Sequence, residues 1–400
     1  GKVAGLKKLM PEWFGAVGDG VADDTLAVQK ALDSCADKGF GLGSAGTGSM
    51  VVLTKAYLVS SLSVDSTYVN LHSENAWLIA KSDEKHPYLL RFTHHFCTIT
   101  GTLNIEGNYN LGYDCMINVN TRHFISHNVV IWRASLPWLF GNRQWAESGI
   151  PGDAEKGDSE IEIIGGATVH GLRGVEAVGA NTIVMFTNAL VYSYPWTLPK
   201  EDSRKEAWEA ADTTLVRCIG SLVYFTGGGL ANFSPSVPLI EAQPIRCPKP
   251  QYFSTYGGVY VSNVHIESGN LFATANPKGI PSQDYQGKGV VQRMVSLTLV
   301  SCGGYLTGNS VLIRTDPLFT GGIVLKNCNF YGIDRTAEIA AIDNPLASID
   351  IDDSSVNDGR EKGLCSVVGG TQKFTYRMIF EAKRTNQSMG AESVGVIYTN

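Results

Sequence analysis

Charged side chains are scarce in this chain of 400 residues: Asp, Glu, Lys and Arg make up 18% of it, and the formal net charge is −6. The Lys and Arg residues are scattered, so the sequence lacks the broad cationic surface that a phosphate backbone requires, and nucleic acid is excluded as a ligand. No apolar run reaches the roughly 18 residues of a transmembrane helix, and the opening "GKVAGLKKLMPEW" lacks the apolar core of a signal peptide. We therefore predict no membrane insertion, and we expect further residues upstream of the leading Gly1.

Motifs for metals and nucleophiles are also missing. The 8 cysteines lie far apart, without a CxxC pair or a Cys/His spacing suited to zinc, so we predict buried thiols and synthesis in a reducing cytosol. No convergent ligand pattern joins the histidines His94, His95, His123 and His127, so no metal and no other cofactor is predicted. The sequence has no GxSxG, which makes an esterase less favoured.

Glycine, by contrast, is abundant, with 44 residues, and Val, Ile, Thr, Ser, Asn and Tyr are frequent. This composition is typical of short strands joined by many turns. Alternating apolar runs such as "CMINVNTRHFISHNVVIWRAS", "NTIVMFTNALVYS" and "GGVYVSNVHIESGN" recur at a spacing of roughly 20 to 30 residues, as expected of stacked repeats. A β-sandwich would need about three packed copies to use this length. We predict an all-β chain that folds as a single-stranded β-helix, a type of β-solenoid whose rungs share a pattern rather than a sequence.

Three insertions interrupt the repeats, at residues 137–159, 194–213 and 227–256, and the second contains a short helical pattern around Glu206 to Ala211. Long insertions on a repetitive scaffold commonly carry function, although they can also cover the solenoid wall or make subunit contacts. The predicted division is an N-terminal segment with a capping helix (1–40), the parallel β-helix (41–360) and C-terminal strands (361–400).

The stretch "FGAVGDGVADDT", Phe14 to Thr25, has the aspartates and glycines of a ligand loop, but its spacing fits neither an EF-hand nor a phosphate loop. The following "DDTLAVQKALDSCADKG" predicts an amphipathic helix, with Val28, Leu32 and Cys35 on one face. Asp23 or Asp24 can cap its N-terminus. We therefore predict a folding element: a tight turn followed by a helix that closes the open end of the solenoid.

The segment Pro11 to Cys35 resembles the start of the pectate-lyase-like right-handed β-helix superfamily, in the version found in bacteriophage tailspikes and capsule depolymerases. The resemblance is carried by Trp13 and Phe14 before Gly15, the turn Gly18-Asp19-Gly20, the cap Asp23-Asp24-Thr25, and Ala27, Val28 and Leu32 on the helix. It implies a right-handed parallel β-helix with an N-terminal capping helix, a homotrimer, and attachment to a phage tail or baseplate through an N-terminal region. It also implies a virion tail protein, made in the host cytoplasm and acting outside the cell, that binds and commonly cleaves a bacterial surface polysaccharide, either capsule or lipopolysaccharide.

Carboxylates on strand faces are the candidates for catalysis, because glycoside hydrolysis needs two carboxyl groups. Glu160 and Glu162 alternate with isoleucines, so we expect them on one outward face about 6 to 7 Å apart. The predicted catalytic residues are Glu160, Glu162, Glu176, His265 and Glu267. The competing interpretation treats them as ordinary solvent-facing residues, or has Glu176 and Arg173 only pair with each other.

Substrate binding is predicted for residues that combine aromatic faces with polar groups, because exposed indoles can stack on sugar rings. These residues are Arg173, Trp196, Trp208, Glu209, Asp212, Arg217 and Tyr224. For Trp208 the alternative is a helix with its indole tucked inward. Hydrolysis is preferred over a polysaccharide lyase because the best strand-face pairs are acidic, and a non-catalytic receptor-binding tail protein remains the third alternative.

Overall fold

The structure of the protein is a computed structural model. It describes residues 8–35, 50–82, 84–144, 160–179, 182–193, 198–232, 234, 237–243, 246–247, 257–274, 291–292, 295–306, 311–315, 321–331, 338–342, 348–357, 365–367, 376–378 and 397–398. Among these residues, no helix is long and apolar enough to cross a bilayer.

The described elements are mostly short strands. A 3-10 helix spans Pro11–Phe14, and the α-helices are α1 (Thr25–Cys35) and α2 (Lys205–Glu209). The strands up to residue 193 are β1 (Lys8–Leu9), β2 (Asp19–Asp23), β3 (Met50–Leu53), β4 (Ala56–Val59), β5 (Leu62–Val64), β6 (Asn70–Ala80), β7 (Leu90–Phe92), β8 (Thr98–Glu106), β9 (Ile117–Val119), β10 (Phe124–His127), β11 (Val129–Trp132), β12 (Trp138–Phe140), β13 (Ile161–Ile164), β14 (Ala167–Gly171), β15 (Val175–Val178), β16 (Ile183–Thr187) and β17 (Leu190–Ser193).

The later strands are β18 (Val216–Ile219), β19 (Leu222–Thr226), β20 (Gly229–Asn232), β21 (Pro238–Gln243), β22 (Arg246–Cys247), β23 (Gly257–Ser262), β24 (His265–Ser268), β25 (Asn270–Thr274), β26 (Val291–Gln292), β27 (Val295–Val300), β28 (Gly303–Leu306), β29 (Val311–Arg314), β30 (Gly322–Lys326), β31 (Asn329–Tyr331), β32 (Glu338–Ile342), β33 (Ser348–Asn357), β34 (Cys365–Val367), β35 (Tyr376–Met378) and β36 (Ile397–Tyr398).

The chain divides into two compact units. The first unit comprises Gly1–Asn142, Gly157–Val175 and Ile183–Asp212, and the second comprises Arg143–Lys156, Glu176–Thr182 and Thr213–Asn400. This division is not the one that the sequence predicts, whose boundaries at residues 40 and 360 stay a prediction.

Parallel pairing between successive rungs builds each unit. In the first unit one stack runs through β1, β3, β6, β8, β10, β13 and β16, a second through β2, β4, β6, β8, β11, β14 and β17, and a third through β5, β7, β9 and β12. In the second unit the stacks are β19, β23, β27, β30, β33 and β35, then β20, β24, β28, β31 and β33, then β18, β21, β25, β29, β32, β34 and β36. Strands β22 and β26 form a separate antiparallel pair. The predicted right-handed parallel β-helix is confirmed.

Inward side chains of successive rungs form columns. Phe124, Ile161 and Val184 are register partners on β10, β13 and β16, and all three are fully buried. In the second unit Val223, Val259 and Leu297 form an equivalent column. Apolar burial of this kind contributes roughly 1.5 to 3 kcal/mol per large side chain, which makes these columns the main source of stability.

A left-handed corner recurs along the rungs, either between two short strands or, in β6 and β8, within one longer strand. Its residues have positive φ angles near 50–80° and include Asn75, Gly101, Asn128, Gly165, Gly166 and Asn188 in the first unit, and Gly227, Gly228, Asn263, Ser301 and Asn327 in the second. The corner N–H groups donate to the next rung: Asn128 N to Ile164 O at 2.9 Å, and Asn263 N to Val300 O at 3.0 Å. Asn and Gly tolerate this region best, so the sequence marks each corner with one of them in most rungs.

The segment from Phe14 to Thr25 folds around its aspartates. The carboxylate of Asp24 accepts hydrogen bonds from Val17 N at 2.7 Å and Gly18 N at 3.0 Å, and Asp19 Oδ1 accepts from Val21 N and Ala22 N at 2.8 Å. Asp23 Oδ1 accepts from Thr25 N, at the start of α1. These carboxylates hold the turn and the start of the helix, as the sequence predicts.

The cysteines that the structure describes behave as predicted. Six of them, Cys35, Cys97, Cys115, Cys218, Cys302 and Cys328, are buried as thiols. Burial raises the pKa of the Cys35 and Cys97 thiols to about 12. A thiol that stays protonated is a poor nucleophile, so these two side chains are packing residues. The side chains of Cys247 and Cys365 lie outside the described part of the chain.

Candidate functional site

The predicted pair Glu160 and Glu162 does not have the expected strand geometry. β13 begins at Ile161, and Glu160 precedes it with φ +60°, so the two glutamates are not alternate residues of one extended strand. Glu160 is bonded to Nδ1 of His123, a corner residue on the preceding rung. Glu162 does face outward, next to Ile125 and Met185.

Glu176 lies in a network of arginines on the second unit. Its side chain is 3% exposed and is bonded to Nε of Arg143, while Arg143 Nη2 donates to its other oxygen at 3.0 Å. Arg217 Nη1 lies 3.9 Å from the same carboxylate, and Arg217 Nε donates to Glu241 Oε1 at 2.8 Å. Glu176 and Arg217 thus belong to one ion-pair network, and their predicted catalytic and substrate-binding roles stay predictions.

The second predicted insertion forms helix α2, close to the helical pattern in the sequence. Trp208 is 0% exposed and packs against Leu172 and Leu198, with the edge of its ring against Tyr109 at a centroid distance of 5.2 Å. A buried indole has no face for a sugar, so of the two interpretations of Trp208 the structure fits the inward one. Glu209 is exposed and lies 3.6 Å from Lys205 Nζ, and Asp212 is exposed. Trp196 lies outside the described residues.

The other predicted binding residues are partly buried. Tyr224 stacks on Tyr260 with ring centroids 5.0 Å apart, and burial raises the pKa of Tyr224 above its usual value. Arg173 is half-buried, and its backbone N–H donates to Ser135 O at 3.1 Å.

The predicted His265 and Glu267 form a hydrogen-bonded pair on β24. His265 Nε2 lies 3.0 Å from Glu267 Oε1, and their side chains are 54% and 40% exposed. Val264 and Ile266 alternate with them and are buried. The expected strand alternation is therefore confirmed here, and an imidazole–carboxylate pair faces outward.

Two tyrosines that the sequence analysis missed lie beside this pair. Tyr305 on β28 is the register partner of Glu267, and Tyr331 on β31 is the register partner of Tyr305. Their rings are 5.4 Å apart and tilted by 54°, and the residues are 43% and 48% exposed. We call His265, Glu267, Tyr305 and Tyr331 the tyrosine face.

Glycines in β28 allow this close arrangement. Gly304 has φ +150°, and a Cβ atom there would lie 1.9 Å from Ile266 O. A Cβ on Gly303 would lie 2.7 Å from Asn329 O. Both positions require glycine for β28 to approach β24 and β31, and this approach brings Tyr305 next to Glu267.

The tyrosine face combines a surface on which a sugar ring can stack with groups that can transfer protons. Exposed aromatic rings offer an apolar surface with a polar hydroxyl edge, and the imidazole–carboxylate pair can accept and donate protons. Within the residues that the structure describes, no group of three or more His, Cys, Asp or Glu side chains could hold a metal ion.

A signal for the missed tyrosines is present in the sequence. "CGGYLTG" and "KNCNFYGI" each place a tyrosine two residues after the first residue of a strand, and each strand follows a left-handed corner, at Ser301 and Asn327 respectively. "SNVHIESGN" places Glu267 at the equivalent position on its own rung. Aligning the corners, rather than the apolar runs, would have brought these three residues together.

Comparisons with known proteins address the fold. No protein-family model matches the chain, and no curated protein is significantly similar to it in sequence. The pre-mature gene product 12 of bacteriophage phi29 matches with a TM-score of 0.52 at 10% identity, over 93% of this chain and 56% of that one. A Geobacillus virus E2 protein, ORF18, matches with a TM-score of 0.39 at 12% identity, over 96% of this chain and 63% of that one.

A third match is the hyperthermoactive exopolygalacturonase of Thermotoga maritima, with a TM-score of 0.48 at 9% identity over 93% of this chain and 91% of that one. The chain thus spans less than two thirds of the length of either phage protein. At these identities the likeness concerns the fold alone. The match to the phi29 protein, with its TM-score of 0.52, agrees with the parallel pairing of the strands. The chain has the right-handed β-helix fold that its N-terminal segment resembles.

Proposed function

We propose that the protein is a phage tail depolymerase that binds a bacterial surface polysaccharide, capsule or lipopolysaccharide, across the tyrosine face and cleaves it there. The observation that carries the proposal is the register of Glu267, Tyr305 and Tyr331 on three successive rungs, with His265 bonded to Glu267. A repeating polymer can lie along rungs that repeat at about 4.8 Å. The resemblance of Pro11 to Cys35 to phage tailspikes supports the same class of ligand.

Binding would rest on the two tyrosines. Each ring is about half exposed, so its remaining apolar area can be covered by the C–H face of a sugar while the phenol hydroxyl stays in contact with water. Stacking of this kind fixes a pyranose ring beside the Glu267 carboxylate. Proximity of that sort is the first requirement for acid–base chemistry at a glycosidic bond.

Hydrolysis is the proposed reaction, with Glu267 as general acid or base. The paired-carboxylate mechanism needs a second carboxyl group beside Glu267; Glu160 and Glu162, which belong to the first unit, stay separate predictions. β-Elimination is the second candidate, and the hydrogen bond between His265 and Glu267 favours it, because a carboxylate that orients an imidazole makes an effective base. A homotrimer attached to the phage tail through upstream residues is proposed with either reaction.

The test begins with an array of bacterial capsular and lipopolysaccharide glycans probed with the full chain. The polysaccharide bound best is then purified and digested, and new reducing ends and ultraviolet absorbance from unsaturated uronates are measured. Reducing ends without the absorbance indicate hydrolysis, and both together indicate a lyase. Sedimentation of the same sample tests the trimer.

Variants test whether the tyrosine face carries both binding and catalysis. We expect Glu267→Gln to reduce turnover by about 10²- to 10⁴-fold, the usual contribution of a general acid or base. We expect Tyr305→Ala to weaken binding about three- to tenfold, while Glu74→Gln, at an exposed glutamate on β6, leaves binding and turnover unchanged. Binding that depends on Tyr305 without any cleavage would identify a receptor-binding protein. Binding and cleavage that are both indifferent to Glu267 and Tyr305 would refute the site.

A further inference from the structure

A second aromatic surface lies on the first unit, outside the proposed site. Trp77 on β6 and Trp132 on β11 are partly exposed, whereas the residues that alternate with them, Leu78 and Ile131, are fully buried. The two indoles therefore point away from the core. Their ring centroids are 6.3 Å apart, and the rings are tilted by 30°.

Apolar side chains continue this surface along the rungs. Ile79 and Val169 lie in the same register row as Trp132, and Val130 lies in the row of Trp77. All three are partly exposed. We call Trp77, Ile79, Val130, Trp132 and Val169 the tryptophan patch. Contiguous apolar side chains on an outward sheet face mark a binding surface more often than a structural one.

The polar groups beside the patch carry little net charge. Glu106, the register partner of Ile79 and Trp132, is nearly buried and is clamped by Arg133, whose Nε donates to the two carboxylate oxygens at 3.0 and 2.9 Å. His170 lies 6.4 Å from Trp132, and burial, followed by the charge of Arg133, lowers its pKa below the usual value. A compensated ion pair and a neutral imidazole suit an uncharged ligand.

One hydrogen-bonding group of the patch is unused. Nε1 of Trp132 is buried and has no hydrogen-bond partner. Burying a donor in this way is unfavourable, and a small rotation of the indole toward a ligand oxygen would give it an acceptor. The preferred ligand therefore presents both apolar faces and oxygen atoms, which is the chemistry of a sugar ring.

We propose that the tryptophan patch is a second glycan-binding site, which takes a neutral pyranose-containing oligosaccharide through stacking on Trp77 and Trp132. It is separate from the tyrosine face and does not require His265 or Glu267. Two binding surfaces on one chain would hold a long polymer by avidity, because engagement of the first raises the effective concentration of the polymer at the second.

The experiment uses the full chain and the array of bacterial capsular and lipopolysaccharide glycans, followed by affinity measurements with the neutral oligosaccharides that bind. We expect Trp132→Ala to weaken binding of these oligosaccharides about tenfold. Val130→Lys, which puts a charge beside Trp132 on the same face of β11 without touching the core, should weaken it similarly. The matched control is Trp13→Ala, which removes an indole that is 55% exposed at the N-terminal end. Circular dichroism checks that each variant is folded.

The outcomes separate the two proposed sites. Loss of neutral-glycan binding in the Trp132 and Val130 variants, with Tyr305→Ala unaffected, supports the tryptophan patch. Affinity unchanged in both patch variants, or lost only in Tyr305→Ala, overturns this inference and leaves the proposed function standing. An array on which no neutral glycan binds also overturns it. A change in sedimentation mass on Val130→Lys would overturn it as well, because the patch would then be an interface between copies of the chain.

Discussion

Replacing Glu176 by glutamine separates a structural role from the catalytic role that the sequence predicts for it. The substitution keeps the shape of the side chain but removes the negative charge that faces Arg143 and Arg217. The glutamine keeps one oxygen as a hydrogen-bond acceptor. Its amide N–H groups are donors, however, and they face the N–H donors of a guanidinium. Arg143 and Arg217 then lose the charge of the carboxylate that they share, while Arg217 keeps its ion pair with Glu241.

The expected loss of stability in Glu176→Gln follows from the burial of its ion pairs. Breaking a buried ion pair by removing one partner costs about 3 to 5 kcal/mol. The side chains of Arg143 and Arg217 are 33% and 20% exposed, so water recovers part of the loss, and we expect Glu176→Gln to lower the free energy of unfolding by about 2 to 3 kcal/mol. Glu241→Gln is the matched control, because the Glu241 side chain is more exposed, at 17%. We expect it to lower the free energy of unfolding by about 1 kcal/mol.

The assay is urea unfolding at neutral pH, followed by circular dichroism, with polysaccharide cleavage measured on the same samples in native buffer. The structural role predicts a lower urea midpoint for Glu176→Gln, with near-normal turnover while the protein is folded. A midpoint equal to that of the parent, combined with lost turnover, would refute the reasoning and restore Glu176 as a catalytic residue.

Two further predictions concern the N-terminal segment. Asp24→Ala removes the acceptor of two charge-assisted hydrogen bonds, so we expect it to lower the free energy of unfolding by about 3 kcal/mol. The control Asp33→Ala, at an exposed position, should lower it by less than about 0.5 kcal/mol. Equal losses would contradict the role of Asp24. The hydrogen bond from Lys81, followed by that from Thr25, lowers the pKa of Asp23 from 3.8 to about 2. Because the pKa of Asp23 is depressed in the folded state, its ionised carboxylate stabilises the fold above pH 3.8, and this stabilisation is lost as the pH falls toward 2. Acid titration should therefore lower the free energy of unfolding more steeply in the parent than in Lys81→Met, which lacks the ion pair. Parallel curves for the two proteins would exclude a contribution from the pair.

The parts of the fold that were predictable from sequence rest on local rules. An i, i+4, i+7 pattern after paired aspartates locates α1, because helix period and capping are both local. The alternation of His265 and Glu267 with Val264 and Ile266 likewise follows from the strand period. Glu160 is the exception: its left-handed backbone is set by the corner that precedes β13, and the alternating letters around it conceal this break.

The site was less predictable because its members come from different rungs. Tyr305 and Tyr331 meet Glu267 only through the register of β24, β28 and β31, and that register depends on where each corner falls along the chain. The direction of Trp208 was equally inaccessible, since a short helix with one indole can place it inward or outward. Packing against Leu172 and Leu198 holds the indole of Trp208 in the inward position.

The left-handed corner also determines where the scaffold can be lengthened. Between β10 and β11 the chain turns at Asn128 alone, and between β23 and β24 at Asn263 and Val264, with hydrogen bonds to the next rung. A loop grafted at either position would break that ladder and shift the register of every rung stacked on it. An engineer who wishes to add loops to this solenoid should therefore leave the asparagine corners untouched.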